Sequence, residues 1–153
     1  MSKPQFVYVT YIATTPQKLW QALIDGEITQ EYWGHRNVSD WQPGSRWEHQ
    51  RSYDGSNSLD VVGEVLENEP FKRLVISWVS PADEGKAEKT SRVTFDIEAI
   101  DVQVRLTVKH EELEQGSKML EGITWGWPVV LSSLKTYLET GKPMPQWWTG
   151  CKT

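Results

Sequence analysis

The longest amphipathic pattern of the chain covers residues 116–141. Its apolar side chains recur every three or four residues, which places them on one stripe of a helix: Leu120, Ile123, Trp127, Leu131, Leu134 and Leu138. Gly141, followed by Lys142 and Pro143, is a typical helix stop signal. The pattern therefore predicts one long helix ending near Gly141, whose apolar face must be covered by another part of the chain.

Pro128 interrupts this helical pattern. A proline inside a helix removes one backbone hydrogen bond and crowds the preceding turn. A kink near Trp125 is therefore expected, unless the helix begins at Pro128. Such a kink fits either a helix bent around a curved sheet or a hinge over the mouth of a cavity.

Upstream of residue 116 the dominant period is two. It predicts strands over residues 6–14, 36–41, 46–52, 59–68, 73–79, 90–100 and 102–113. Thr15-Pro16 opens a short helix after the first strand, and a second short helix covers residues 27–32 and ends near Gly34. Short links between consecutive strands favour an antiparallel sheet. The predicted class is α+β, with a curved sheet wrapped around the long C-terminal helix and a cavity between them.

The length and charge of the chain limit the number of domains and the kinds of partner that it can have. Its 153 residues fit a single domain, with a core over about 6–141 and a tail over 142–153. The net charge of −5, with dispersed Lys and Arg, argues against nucleic acid as a partner. No apolar run approaches the roughly 20 residues of a membrane span, and the N-terminus lacks the apolar core of a signal peptide. A cytoplasmic protein without membrane contact is expected, with Cys151 as a free thiol.

Nine tryptophans are unusual in a chain of this length. Most are expected in the core, because indole rings bury large areas, and the remainder could line a ligand pocket. The predicted ligand-binding residues lie around the junction of sheet and long helix: Trp33, Trp47, His49, Arg51, Trp78, Trp125 and Val129.

Two ionisable residues are candidates for acid–base chemistry. His49 alternates with Trp47 and Arg51 on one strand face, and burial of Trp47 predicts that this face points inward. Glu64 shares a face with Val62, and alternation does not decide which face of that strand is buried. If it points inward, a carboxylate in an apolar pocket has a raised pKa and can accept a proton or anchor a ligand. A hydrogen-bonded structural role is the alternative for both residues.

No motif indicates catalysis, a metal or a bound cofactor. The histidines His35, His49 and His110 have no metal-ligand spacing, and no serine stands in a nucleophile motif. His110 shares a face with Val104, Leu106 and Val108, which predicts a hydrogen-bonded structural residue at the sheet rim.

Several ordered segments resemble the activator of heat-shock-protein-ninety ATPase homologue family: ATTPQKLWQALID, EITQEYWG, WQPGSRW, GEVLENEPFKRLVISW, LTVKHEEL and GITWGWPVVLSSLKTYLETG. The resemblance spans about residues 6–141, and His110 matches the histidine of the family's LTVxHE motif. It implies the helix-grip fold of the START-like (SRPBCC) superfamily, with a pocket between sheet and long helix. The chaperone activator itself is similar only in its C-terminal domain, and its separate N-terminal domain makes much of the chaperone contact. Strong stimulation of the chaperone by this chain is therefore not expected.

These observations predict a protein that binds a small apolar or aromatic molecule without a cofactor. One alternative is a cyclase- or hydrolase-type enzyme that uses His49 or Glu64 in the cavity. The other is a regulator with a chaperone as its partner. Monomer and homodimer both stay open, and the tail pair Trp147-Trp148 indicates an interface or a contact folded back on the domain.

Overall fold

The computed structural model describes residues 3–145 and Trp148. Its strands and helices, in chain order, are β1 Phe6–Ile12, α1 Pro16–Ile24, α2 Gly26–Trp33, β2 His35–Val38, β3 Arg46–Arg51, β4 Leu59–Glu69, β5 Arg73–Trp78, β6 Ser91–Ile100, β7 Gln103–Glu111 and α3 Lys118–Thr140. Every predicted strand and helix is present, with ends that differ by a few residues. Two short 3-10 turns, Pro81–Asp83 and Ala87–Lys89, lie between β5 and β6.

The strands form one antiparallel sheet of seven, in the order β1-β7-β6-β5-β4-β3-β2. The two short helices carry the chain from β1 at one edge to β2 at the other, and the remaining strands return as a meander. The curled sheet and the long helix α3 confirm the predicted α+β helix-grip fold. The core between them contains most of the large apolar side chains.

The turn between α2 and β2 fixes the end of α2 relative to the start of β2. Asp25 caps the start of α2 by accepting a hydrogen bond from the Glu27 backbone N–H at 2.9 Å. α2 ends at Gly34, which has a left-handed φ of 74°. A Cβ at Gly34 would lie 2.7 Å from the Trp148 ring, so Trp148 folds back onto this turn. Trp147, the other tryptophan of the tail pair, lies outside the described residues.

Helix α3 begins at a Ser117 cap and ends at Gly141, which has a left-handed φ of 82°. It runs without interruption through Pro128, so the alternative in which the helix begins at Pro128 is wrong. The kink near Trp125 stays a prediction. The fully buried face of α3 includes Ile123, Trp127, Val130, Leu131 and Leu134. Leu120 and Leu138 of the predicted stripe are partly buried against the same core.

Candidate functional site

A cavity of about 120 Å³ lies between the sheet and the first half of α3. Its wall comes from α2, β3, β5 and α3: Trp33, His49, Trp78, Gly122, Ile123, Gly126, Trp127 and Val130. An apolar protein cavity of about 150 Å³ accepts benzene. The cavity in this chain is somewhat smaller and opens to solvent, so it offers the space of one aromatic ring at most.

Three indole rings form an aromatic wall of this cavity. The ring centroids of Trp33 and Trp127 are 5.5 Å apart, those of Trp78 and Trp127 are 5.5 Å apart, and those of Trp33 and Trp78 are 6.4 Å apart. Trp47 is fully buried behind Trp78, and its Nε1 donates to the Ser77 carbonyl at 2.7 Å. Trp47 therefore supports the aromatic wall but does not line the cavity, unlike the predicted arrangement.

His49 is the one ionisable side chain in the wall. It is 4% exposed, as expected from the predicted inward face of β3. Its Nδ1 lies 2.5 Å from the side-chain oxygen of Asn37, the residue opposite it on β2. Burial, together with the nearby charge of His35, holds the pKa of His49 well below its usual value. The ring is therefore neutral at physiological pH, with Nδ1 donating to Asn37.

A second histidine, His35, stacks on His49 with ring centroids 4.1 Å apart and planes 3° apart. His35 Nε2 lies 2.7 Å from Asp60, and Arg51 donates to the same carboxylate at 2.7 and 3.0 Å. Burial alone would raise the pKa of Asp60, but the hydrogen bonds from Arg51 and His35 outweigh it and hold that pKa below its usual value. Arg51 thus pairs with Asp60 and is not among the residues that line the cavity. Its predicted role in ligand binding stays a prediction.

His110 lies behind the aromatic wall in a complete chain of hydrogen bonds. Trp127 Nε1 donates to His110 Nδ1 at 3.0 Å. His110 Nε2 then donates to Ser91 Oγ at 2.8 Å, and Ser91 Oγ donates to the Trp78 carbonyl at 2.9 Å. Burial lowers the pKa of His110 to about 3. The prediction of a satisfied structural histidine is confirmed.

Glu64 does not belong to the cavity. Its side chain is exposed, whereas the adjacent Val65 is fully buried, so the face of β4 that carries Glu64 points outward. The predicted role of Glu64 as a cavity base is therefore wrong.

Two other predicted lining residues lie on the wrong side of α3. Trp125 is 77% exposed and Val129 is half-buried, and neither lines the cavity. Positions 123, 127 and 130 face the sheet instead, and successive residues of a helix are rotated by about 100°. Ile123 and Trp127 already belonged to the predicted apolar stripe, which was the better signal for lining residues.

A larger groove of about 720 Å³ lies where α1 meets the turn between β4 and β5 and the strands β6 and β7. It includes the surface charges Lys72, Asp96, Glu98 and Arg105. Because it buries no ionisable group, it is a weaker candidate than the aromatic cavity. Within residues 3–145 and Trp148, no three His, Cys, Asp or Glu side chains are grouped to hold a metal ion. Over the same residues, no helix is long and apolar enough to cross a membrane.

A curved antiparallel sheet closed by one long helix, with an aromatic cavity between them, defines a protein of the helix-grip class. The chain belongs to the family of Activator of Hsp90 ATPase homolog 1-like proteins, whose model matches residues 13–139. No curated protein sequence matches the chain.

Solved structures agree with this assignment at the level of fold. A Mesorhizobium loti protein has 22% identity and a TM-score of 0.74, covering 88% of this chain and 96% of that one. The Aha1 dimer of Colwellia psychrerythraea has 20% identity and a TM-score of 0.73, covering 91% and 98%. An HSP90 activator from Plasmodium falciparum has 18% identity and a TM-score of 0.71, covering 88% and 95%. Identities this low show a shared fold alone.

Proposed function

We propose that this protein binds a small apolar or aromatic molecule, of about one ring, in the cavity between the sheet and α3. The observation that carries the proposal is the space in front of the three indole rings, which two glycines of α3, Gly122 and Gly126, border. A Cβ built on either glycine would meet no atom within 4 Å, and Gly122 is exposed while Gly126 is half-buried. Glycine inside a helix costs about 1 kcal/mol relative to alanine. The two missing side chains leave the cavity open to a ligand on this side.

The state of His49 favours binding over acid–base catalysis. A general base works best when its pKa lies near the working pH. Burial and the charge of His35 lower the pKa of His49 instead, so it takes up a proton poorly at neutral pH. With Glu64 outside the cavity, the enzyme alternative has no second group to act with His49.

Binding is tested with toluene as the probe, because its size suits the cavity. Titration of the full chain, followed by calorimetry and ligand-observed NMR, should give saturable binding. Gly126→Leu adds a side chain at the border of the cavity and should weaken binding. Trp125→Leu, on the exposed side of the same helix, is the matched control and should bind normally. Absence of saturable binding to the folded wild type, or equal binding by Gly126→Leu, would reject the proposal.

The rival function, regulation of a heat-shock-protein-ninety ATPase, has one supporting observation. Trp125 is 77% exposed on α3, and tryptophan is enriched among the residues that contribute most to protein–protein binding. An ATPase assay with the chaperone from the same source decides between the functions. Stimulation that Trp125→Ala removes would favour the regulator, whereas no stimulation by the wild type would reject it.

A further inference from the structure

Resting on the proposed ligand cavity, we infer that the bound molecule carries a hydrogen-bond donor, of the phenol type, that His49 Nε2 accepts. Within the part of the chain that the structure describes, this nitrogen has no protein hydrogen-bond partner, and it is not among the fully buried atoms that lack one. The nitrogen therefore keeps contact with the open space of the cavity, which His49 lines. A ligand that fills this space displaces water from the nitrogen and must supply a hydrogen bond in its place.

The surrounding residues fix which ring nitrogen of His49 carries the proton. Asn37 is 6% exposed, and its backbone N–H donates to Thr29 Oγ1 at 2.9 Å, which holds the residue in place. Its side-chain oxygen faces His49 Nδ1 and can only accept. Nδ1 therefore carries the hydrogen, and Nε2 of the neutral ring presents a lone pair.

Burial keeps this lone pair free of a proton. It holds the pKa of His49 well below its usual value, and the electrostatic interaction with His35, whose ring stacks 4.1 Å away, acts in the same direction. The ring nitrogens of His35 lie 2.7 Å from the Asp60 carboxylate and 3.2 Å from the Trp33 carbonyl, which hold the His35 ring in place. His49 is thus held as an acceptor rather than a donor.

The other polar atoms of the cavity wall further restrict which functional groups the ligand can carry. Trp78 Nε1 already donates to Met119 Sδ at 3.2 Å, and Trp127 Nε1 donates to His110. Trp33 Nε1 has no partner among the described residues, and the Trp33 ring lies 4.6 Å from that of His49, centroid to centroid. A hydroxyl group on a ligand can donate to His49 Nε2. A ring bearing one hydroxyl group therefore suits the cavity better than a hydrocarbon.

The test compares phenol with toluene, which has a similar shape but no donor. Kd values are measured by calorimetry for the wild type and for His49→Phe, which keeps a ring but loses the acceptor. The ratio of Kd for toluene to Kd for phenol should fall about tenfold in His49→Phe, the effect of one lost hydrogen bond. Anisole, which accepts but does not donate, should behave like toluene.

A measurement on the wild type covers the case in which His49→Phe does not fold. The 15N resonances of the His49 ring should show Nδ1 protonated and Nε2 bare, and the Nε2 resonance should move on addition of phenol but not of toluene. Three results would each overturn the inference. They are equal Kd ratios in the wild type and His49→Phe, a protonated Nε2, and an Nε2 resonance that does not move when phenol binds. These outcomes leave the proposed function standing, whereas failure of both phenol and toluene to bind would remove the cavity function itself.

Discussion

His110 should make the stability of the protein fall between pH 7 and pH 5. In the unfolded chain its pKa is about 6.5, whereas burial lowers the folded value to about 3. Between these two pKa values, His110 binds a proton in the unfolded chain but not in the folded protein. The free energy of unfolding therefore decreases as the pH falls through about 6.5, and this loss continues down to about pH 3.

The size of the effect follows from the two pKa values. Proton linkage gives a contribution of about 2 kcal/mol between pH 7 and pH 5 from His110 alone. Burial and the charge of His35 lower the pKa of His49 as well, so His49 adds a loss in the same direction. Carboxylates contribute little in this window because their ordinary pKa values lie near 4.

The variant His110→Gln isolates the contribution of His110. Glutamine can accept from Trp127 and donate to Ser91, but it does not titrate. Urea unfolding followed by tryptophan fluorescence at pH 7, 6 and 5 gives the free energies, with an unchanged m value as the check on two-state behaviour. The variant should be less stable at pH 7, and its deficit should shrink by about 2 kcal/mol at pH 5. Parallel pH profiles for the two proteins would refute the buried, neutral state assigned to His110.

Three further predictions concern the packing around the cavity. Leu134→Ala should lower the free energy of unfolding by about 2–5 kcal/mol, since Leu134 is fully buried; an unchanged urea midpoint would contradict the register of α3. Gly126→Ala should raise that free energy by up to about 1 kcal/mol while weakening toluene binding, because its Cβ meets open space in the cavity wall; unchanged affinity would separate Gly126 from the ligand. Trp47→Phe should cost about 1–3 kcal/mol by leaving the Ser77 carbonyl without its donor, and a urea midpoint equal to that of the wild type would show that the bond is replaced.

The fold was predictable because the apolar residues of the chain follow two clear periods, one helical and one typical of strands. The three-to-four spacing from Leu120 to Leu138 and the alternation upstream of it depend only on local geometry, and both elements appear where they were predicted. The antiparallel meander from β2 to β7 followed from short links between consecutive strands, whereas the pairing of β1 with β7 joins strands that are distant in sequence. The inward direction of His49 was likewise predictable, because Trp47 on the same face needed burial.

The details of the site depended on contacts between distant residues. His35, Asn37 and Asp60 surround His49 and Arg51 only because β2 pairs with β3 and β3 pairs with β4. The spacing of these residues along the chain does not predict this cluster. A signal was available for Asn37, since it lies in a predicted strand next to the one that carries His49, but the register was needed to pair them.

Burial on both faces of β4 explains why its inward face was not predictable. Val61 and Val62 are neighbours on opposite faces, yet both are buried. Val62 is covered through its bridge to Val79, a pairing between residues distant in sequence. Because Val62 shares its face with Glu64, alternation left Glu64 open to either assignment.

The hydrogen bond from Trp127 to His110 also sets how far α3 is inserted along the sheet. The buried stripe of α3 is apolar at every turn, so sliding the helix by four residues would exchange one apolar contact for another. Such a slide would bring Ile123 or Leu131 to the position of Trp127, and neither side chain has an N–H group. His110 Nδ1 would then be buried without a donor, at a cost of about 1–3 kcal/mol. One indole nitrogen thus distinguishes the native register of the helix from slipped arrangements that hydrophobic burial alone would tolerate.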